Sequence, residues 1–131
     1  MNMYDTKAVG NAGEKIAQKY LKRKFYKILD CQYRSPFGEI DIIAQKKNYL
    51  IFAEVKTRRE DCKFSPASAV NKAKQQRIIK TAFCYIKHSR AKLQPRFDII
   101  EVIINPKTLR KISLTHIENA FTYGGGDYAP F

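Results

Sequence analysis

The sequence has no apolar run longer than a few residues, so no segment is expected to span a membrane. It has only three cysteines, Cys31, Cys62 and Cys84, odd in number and widely spaced, and two distant histidines, His88 and His116. With no Cys-x-x-Cys, neither a disulfide framework nor a Cys/His zinc site is expected. The segment Met-Asn-Met-Tyr-Asp-Thr-Lys at the start has no apolar stretch behind its charge and does not read as a signal peptide. These absences predict a reduced, cytoplasmic protein with no membrane partner. Internal repeats and low-complexity blocks are also missing. The last shortage is of acid. Residues 62–97 contain no Asp or Glu, yet hold Lys63, Lys72, Lys74, Arg77, Lys80, Lys87, Arg90, Lys92 and Arg96.

What is present fits one folded domain over residues 1–131, with an apolar fraction of 44% and a net charge of +13. Residues 1–11 and 122–131, the latter with Gly124, Gly125 and Gly126, read as flexible tails. A basic balance this strong favours a polyanionic partner, nucleic acid first. The acids are grouped: five of the twelve, Glu39, Asp41, Glu54, Glu60 and Asp61, fall in one short stretch. A small acidic group is therefore set in a basic surround.

Periodicity predicts the elements. Ile16, Ala17, Tyr20, Leu21 and Phe25 recur at helical spacing and place a helix over residues 12–25. Glu14 lies near its buried stripe, an awkward place for a merely solvated acid. Strands are expected over residues 28–34, 39–44 and 49–56, joined by turns at residues 35–38 and 45–48. In the second strand, alternation puts Ile40 and Ile42 on one face and Glu39, Asp41 and Ile43 on the other. The third strand is apolar on both faces until Glu54, which suits a central position. Residues 57–65 read as a polar loop, followed after Pro66 by a long helix with Val70, Ala73, Ile78, Ala82, Tyr85 and Ile86 inward. A linker over residues 89–95 leads to a strand over residues 96–104, and residues 111–117 add an edge strand. The order α-β-β-β-α-β-β, with a central mixed sheet of four to five strands flanked by helices, makes an α/β layer fold.

Asp41 and the run Glu54-Val55-Lys56 carry the chemistry. On a strand, Glu54 and Lys56 point the same way. If Asp41 faces them across the hairpin, two carboxylates and an ammonium converge. Asp41 and Glu54, with the Val55 carbonyl and water, can then hold Mg²⁺ or Mn²⁺, and Glu14 can reach the same site from the helix. Such an ion activates water against a phosphodiester, with Lys56 orienting that water or steadying the developing charge. Taken alone, Glu-x-Lys is common and can be a solvated strand-end ion pair. Glu39 is a rival second-strand ligand, better read as a solvent-facing hairpin acid. Arg58, Lys72, Lys74, Arg77 and Lys80 are candidate nucleic-acid contacts, with a solvated helix face as the plain alternative. Gln75 and Gln76 sit among these basic residues, where exposed glutamines usually do nothing special. Asp98 is expected to pair with Arg96, and His88 and His116 to lie at the surface. Tyr33 and Phe37 are better read as packing residues than as base-stacking ones.

Asp41…Glu54-x-Lys56 on consecutive strands resembles the PD-(D/E)xK nuclease signature, although Ile40 stands where that signature has proline. The preceding helix with Glu14 resembles the archaeal Holliday-junction resolvase variant. Gly13-Glu14, Arg34, Gly38-Glu39-Ile40-Asp41-Ile42-Ile43, Phe52-Ala53-Glu54-Val55-Lys56-Thr57-Arg58, Arg96-Phe97-Asp98 and residues 116–121 together are similar to the YraN-like bacterial family. The resemblance implies a restriction-endonuclease-like fold and places Glu14, Asp41, Glu54 and Lys56 at the four nuclease positions. The leading expectation is a metal-dependent endonuclease acting on DNA, branched or junction DNA included. The alternatives are a nucleic-acid-binding module that keeps the fold without cutting, and a small interaction protein with ordinary ion pairs. Resolvases need paired active sites, so a homodimer fits the first reading.

Overall fold

The computed structural model describes residues 6–61, 70–89 and 92–123. The element order is α1 (Thr6–Arg23), β1 (Lys27–Ser35), β2 (Gly38–Lys46), β3 (Tyr49–Arg59), α2 (Lys72–Ser89), β4 (Gln94–Ile104) and β5 (Lys111–Phe121). This is the expected α-β-β-β-α-β-β order. The strands form one five-stranded sheet in the order β1-β2-β3-β4-β5. Only the β3–β4 pair is parallel, and α2 lies in the connection between them. The result is a mixed sheet with two flanking helices, an arrangement of the restriction-endonuclease-like kind.

Each helix covers its own apolar layer. Val9, Ala17 and Leu21 of α1 pack with Ile42, Ala44, Ile51, Ala53, Val55, Ile100 and Val102. Ile78, Ile79 and Ala82 of α2 pack with Ile40, Ile43, Leu50, Phe52 and Phe97. Strand β3 contributes alternate residues to both layers, as its two-faced apolar sequence requires. Glu54 and Lys56 continue the row of Leu50 and Phe52, so both belong to the α2 side.

Helix α1 starts at Thr6, earlier than residue 12, because Val9 extends the buried i, i+4 stripe through Gly13, Ala17 and Leu21. It ends in a Schellman motif: the Tyr26 N–H donates to the Leu21 carbonyl at 2.9 Å and the Phe25 N–H to the Lys22 carbonyl at 3.0 Å. Phe25 takes the left-handed conformation at φ 69°. The tail expected over residues 1–11 is therefore helical from Thr6 onward; residues 1–5 and 124–131 lie outside the described residues, as does Pro66.

Strands β1 and β2 are each slightly longer than expected, and three further strand boundaries differ for identifiable reasons. Strand β3 runs on through Arg59, where a loop was expected, because its ladder with β4 continues to Arg59 opposite Ile104. Strand β4 starts at Gln94, whose N–H donates to the Asn48 carbonyl at 2.8 Å. Strand β5 continues past Ile117 to Phe121, whose ring stacks on Phe97 with centroids 5.3 Å apart.

The expected alternation of β2 also fails, at Asp41. Ile40 shares the α2-side core with Ile43, whereas Ile42 belongs to the α1 side. The β2–β3 ladder runs from Lys46 opposite Tyr49 to Ile42 opposite Ala53 and goes no further. Beyond it the Val55 N–H donates to Asp41 Oδ2 at 2.8 Å, so a side chain replaces a backbone acceptor. Across the sheet the register places Gln32 of β1 beside this point, and Gln32 has φ 55°. The split between β2 and β3 is what admits a carboxylate to the middle of the sheet.

Candidate functional site

The parting of β2 from β3 creates a cavity of about 590 Å³. Asp41, Glu54, Val55, Lys56, Thr57, Arg58 and Arg59 line it, with Thr6, Val9, Gly10 and Glu14 from α1 and Lys74 from α2. Helix α1 reaches this close because residue 13 is glycine. A Cβ there would lie 2.7 Å from Thr57 Cβ, well inside contact distance. The next residue, Glu14, is thereby carried to the cavity wall.

All four residues matched to nuclease positions line this cavity, though with different partners. Glu54 is 5% exposed and forms ion pairs with Lys74, in close contact, and with Lys56 at 3.8 Å. Burial, followed by the neighbouring Glu54 carboxylate, pushes the Asp41 carboxyl up to about 8; the Val55 N–H works in the opposite direction. Glu14 is also raised by burial, with a hydrogen bond from Gln32 Nε2 opposing and the charges of Glu39 and Glu54 adding to the rise. Lys56 is pulled below its usual range by burial and then by Lys74. For Lys74, burial acts downward, but its bond to Glu54 wins and the ammonium is strengthened. The rival acid Glu39 is instead paired with Arg34 at 2.8 Å and is partly exposed.

The oxygen donors fit a small hard cation in part. Among the described residues no three His, Cys, Asp or Glu side chains form a metal-binding group. The donor set is therefore the Asp41–Glu54 pair, which needs backbone oxygen and water to complete a shell. Burial lifts Asp41 most and the Glu54 charge adds to it; a divalent ion between the two carboxylates would relieve that second part.

The basic candidates divide. Lys72, Arg77 and Lys80 are exposed on α2, with the Lys80 ammonium 5.7 Å from the centre of the Phe37 ring. Arg58 lies in the cavity wall. Lys74, expected on the outer helix face, is instead a member of the acidic site. The sequence offers one clue to this: α2 has no acid in its first turn, and Asn71 caps it by accepting the Lys74 N–H at 2.9 Å. That cap fixes Lys74 in the first turn, on the side of the helix that meets Glu54. Gln75 Nε2 donates to the Val70 carbonyl at 3.1 Å, and Tyr33 packs edge-on against Tyr85.

A second polar cluster lies under α1. Asp98 is fully buried and takes two hydrogen bonds from Arg96, at 3.0 and 2.8 Å, one with His116 Nε2 at 2.7 Å and one from the Asn119 N–H at 3.0 Å. His116 Nδ1 in turn bonds the Tyr20 hydroxyl at 2.9 Å. The Asp98–Arg96 pairing is as expected, but His116 is buried rather than superficial, because β5 extends beyond it and Tyr20 and Tyr26 close over its ring. Burial alone would raise the Asp98 carboxyl; His116, Arg96 and Asn119 hold it below its ordinary value. This cluster satisfies itself and serves the fold.

Cys31 and Cys84 are free, and among the described residues no helix is long and apolar enough to cross a membrane. Residues 13–102 match the model of the family described as "Uncharacterised protein family UPF0102". The chain is 49% identical over 122 residues to a UPF0102 protein of Caldanaerobacter subterraneus subsp. tengcongensis, covering 92% of this chain and 100% of the relative. It is 47% identical over 121 residues to one of Clostridium botulinum strain 657, covering 90% and 97%. A UPF0102 protein of Thermodesulfovibrio yellowstonii is 45% identical over 113 residues, covering 86% and 95%. The matched span contains Glu14, Asp41, Glu54, Lys56 and Lys74, and the chain belongs to the UPF0102 family of YraN-like bacterial proteins.

Proposed function

We propose that the protein is a metal-dependent endonuclease that hydrolyses phosphodiester bonds in DNA, with branched and junction DNA the first substrates to assay. The observation that carries this reading is the meeting of Asp41 and Glu54 at the β2–β3 split, with Lys56 two residues along on the Glu54 face. Asp41, Glu54 and the Val55 carbonyl would hold Mg²⁺ or Mn²⁺, and Glu14 would hold a water of its shell. A bound divalent ion supplies polarisation of the phosphate and acidification of water. Lys56 donates hydrogen bonds to a phosphate oxygen and offsets the charge that grows there. The Gln32 amide keeps Glu14 turned to the cavity. Arg58 at the cavity wall and Lys72, Arg77 and Lys80 on α2 bind the flanking phosphates.

The test is a cleavage assay across linear and branched DNA with Mn²⁺ and Mg²⁺. Asp41→Ala, Glu54→Ala and Lys56→Ala should each remove cleavage while leaving the circular-dichroism spectrum unchanged. Activity that survives all three substitutions would refute the assignment. The second reading, a binding module that does not cut, draws support from Lys74 being seated on Glu54. Salt-sensitive DNA binding with no cleavage under any divalent metal would favour it.

A further inference from the structure

Four ionisable side chains meet in the cavity: the carboxyls of Asp41 and Glu54 and the amines of Lys56 and Lys74. With both acids ionised and both amines protonated their charges sum to zero. Adding a divalent cation would leave two positive charges in excess in a partly desolvated space, where like charges a few ångströms apart repel by several kcal/mol. The Glu14 carboxylate on the cavity wall offsets part of this excess, and the departure of one ammonium relieves the rest. Lys56 cannot go far: its backbone is fixed in the parallel ladder opposite Glu101, and Glu54 is two residues away on the same row. Lys74 is differently placed. It rises from the first turn of α2 on a four-carbon stem, and its side chain is 32% exposed. A cation in a helix's first turn opposes the helix dipole, so Glu54 is what draws this ammonium inward. Lys74 also lines a second, smaller cavity of about 130 Å³ beside Glu39 and Arg77, so it stands on the wall between two open spaces.

We infer that Lys74 is the internal counter-cation of the Asp41–Glu54 pair, held on Glu54 while no divalent ion is present and released toward the substrate phosphate when one binds. The inference rests on the metal-site reading given above and adds a competitor to it. Lys74 closes the acidic site in the metal-free protein, which keeps the buried Glu54 carboxylate from being left uncompensated. Once released, it joins Lys56 on the phosphate side, so metal loading and substrate binding reinforce each other.

The experiment is a calorimetric titration of the full chain with Mn²⁺ in the absence of DNA, comparing wild type with Lys74→Met, Lys87→Met and Glu54→Gln. Lys87 is an exposed cation near the far end of α2 and controls for net charge. Lys74→Met should bind Mn²⁺ about tenfold more tightly than wild type or beyond, Lys87→Met should match wild type, and Glu54→Gln should lose binding. In thermal melts without metal, Lys74→Met should melt below wild type and regain more on adding Mn²⁺. Equal Mn²⁺ affinity in wild type and Lys74→Met overturns the counter-cation role while the metal site stands. Absence of Mn²⁺ binding in both overturns the metal reading and this inference with it.

Discussion

At Asp98 a carboxylate without solvent contact neutralises Arg96 and accepts a further bond from the Asn119 backbone. Replacing it with Asn keeps the shape but leaves the guanidinium beneath α1 with only the exposed Glu118 carboxylate, at 3.2 Å, to compensate it. Asp98→Asn should lower stability by about 3–5 kcal/mol, read from the urea midpoint. A loss under about 1 kcal/mol would mean that Glu118 and solvent together compensate Arg96 without Asp98. Asp41 makes the opposite case. Its carboxyl is raised from 3.8 to about 8 in the folded chain, so between those values the folded state holds a proton that the unfolded state has lost. Metal-free stability should therefore fall as pH rises through that window and level off above it. In Asp41→Asn, whose Oδ1 can still accept the Val55 N–H, the decline should flatten. A pH–stability curve with the wild-type slope in this variant would assign the decline to another group. Gly13 shows the weight of one absent methyl. Gly13→Ala meets Thr57 and should destabilise by about 1–3 kcal/mol, with Thr57→Ala recovering part of the loss.

At the scale of elements, α1 and the β2–β3 pair decide the site together. The end of α1 is held by Phe25 in a left-handed conformation, although its ring is 88% exposed and contributes no packing. Phe25→Gly removes the strain of a side chain at positive φ and should raise stability by about 1 kcal/mol, measured by thermal melting. No gain would show that the Schellman geometry relaxes on its own. The elements themselves were legible because their signals are local. The helical spacing of Ile16, Ala17, Tyr20 and Leu21, the apolar strand runs and the turn residues act over a few positions. Boundaries were less legible where a partner extends an element. Arg58 and Arg59 remain in β3 because β4 offers them a ladder, and nothing in their own side chains signals it. The break in alternation at Asp41 was hidden for the same reason: it depends on where β2 and β3 part.

At the scale of the whole molecule, the net charge of +13 is distributed rather than merely large. The acids of the site lie inward, while Lys72, Arg77 and Lys80 face out along α2. If that face tracks a phosphate backbone, changing the three residues to Gln should weaken DNA binding uniformly across sequences. It should also reduce the slope of log affinity against log salt by about 0.9 for each phosphate that is no longer neutralised. Fluorescence anisotropy at several salt concentrations reads this directly, and an unchanged slope would remove α2 from the interface. Because Lys72 and Lys80 are exposed and line neither cavity, changing those two alone should keep the fold and the metal affinity.

The sequence by itself determined the order of the elements, the central place of β3 and the pairing of Glu54 with Lys56, since each follows from periodicity within one segment. It also marked Asp41, because an acid inside an apolar strand needs a partner. Only the tertiary structure decided which partner. The parting of β2 from β3 turned Asp41 onto the Val55 N–H and toward Glu54. The cap at Asn71 aimed Lys74 into the same space. The extension of β5 buried His116 against Asp98. Each of these depends on backbones far apart in the chain arriving within a few ångströms, and side-chain charge acts over that distance, not over sequence separation.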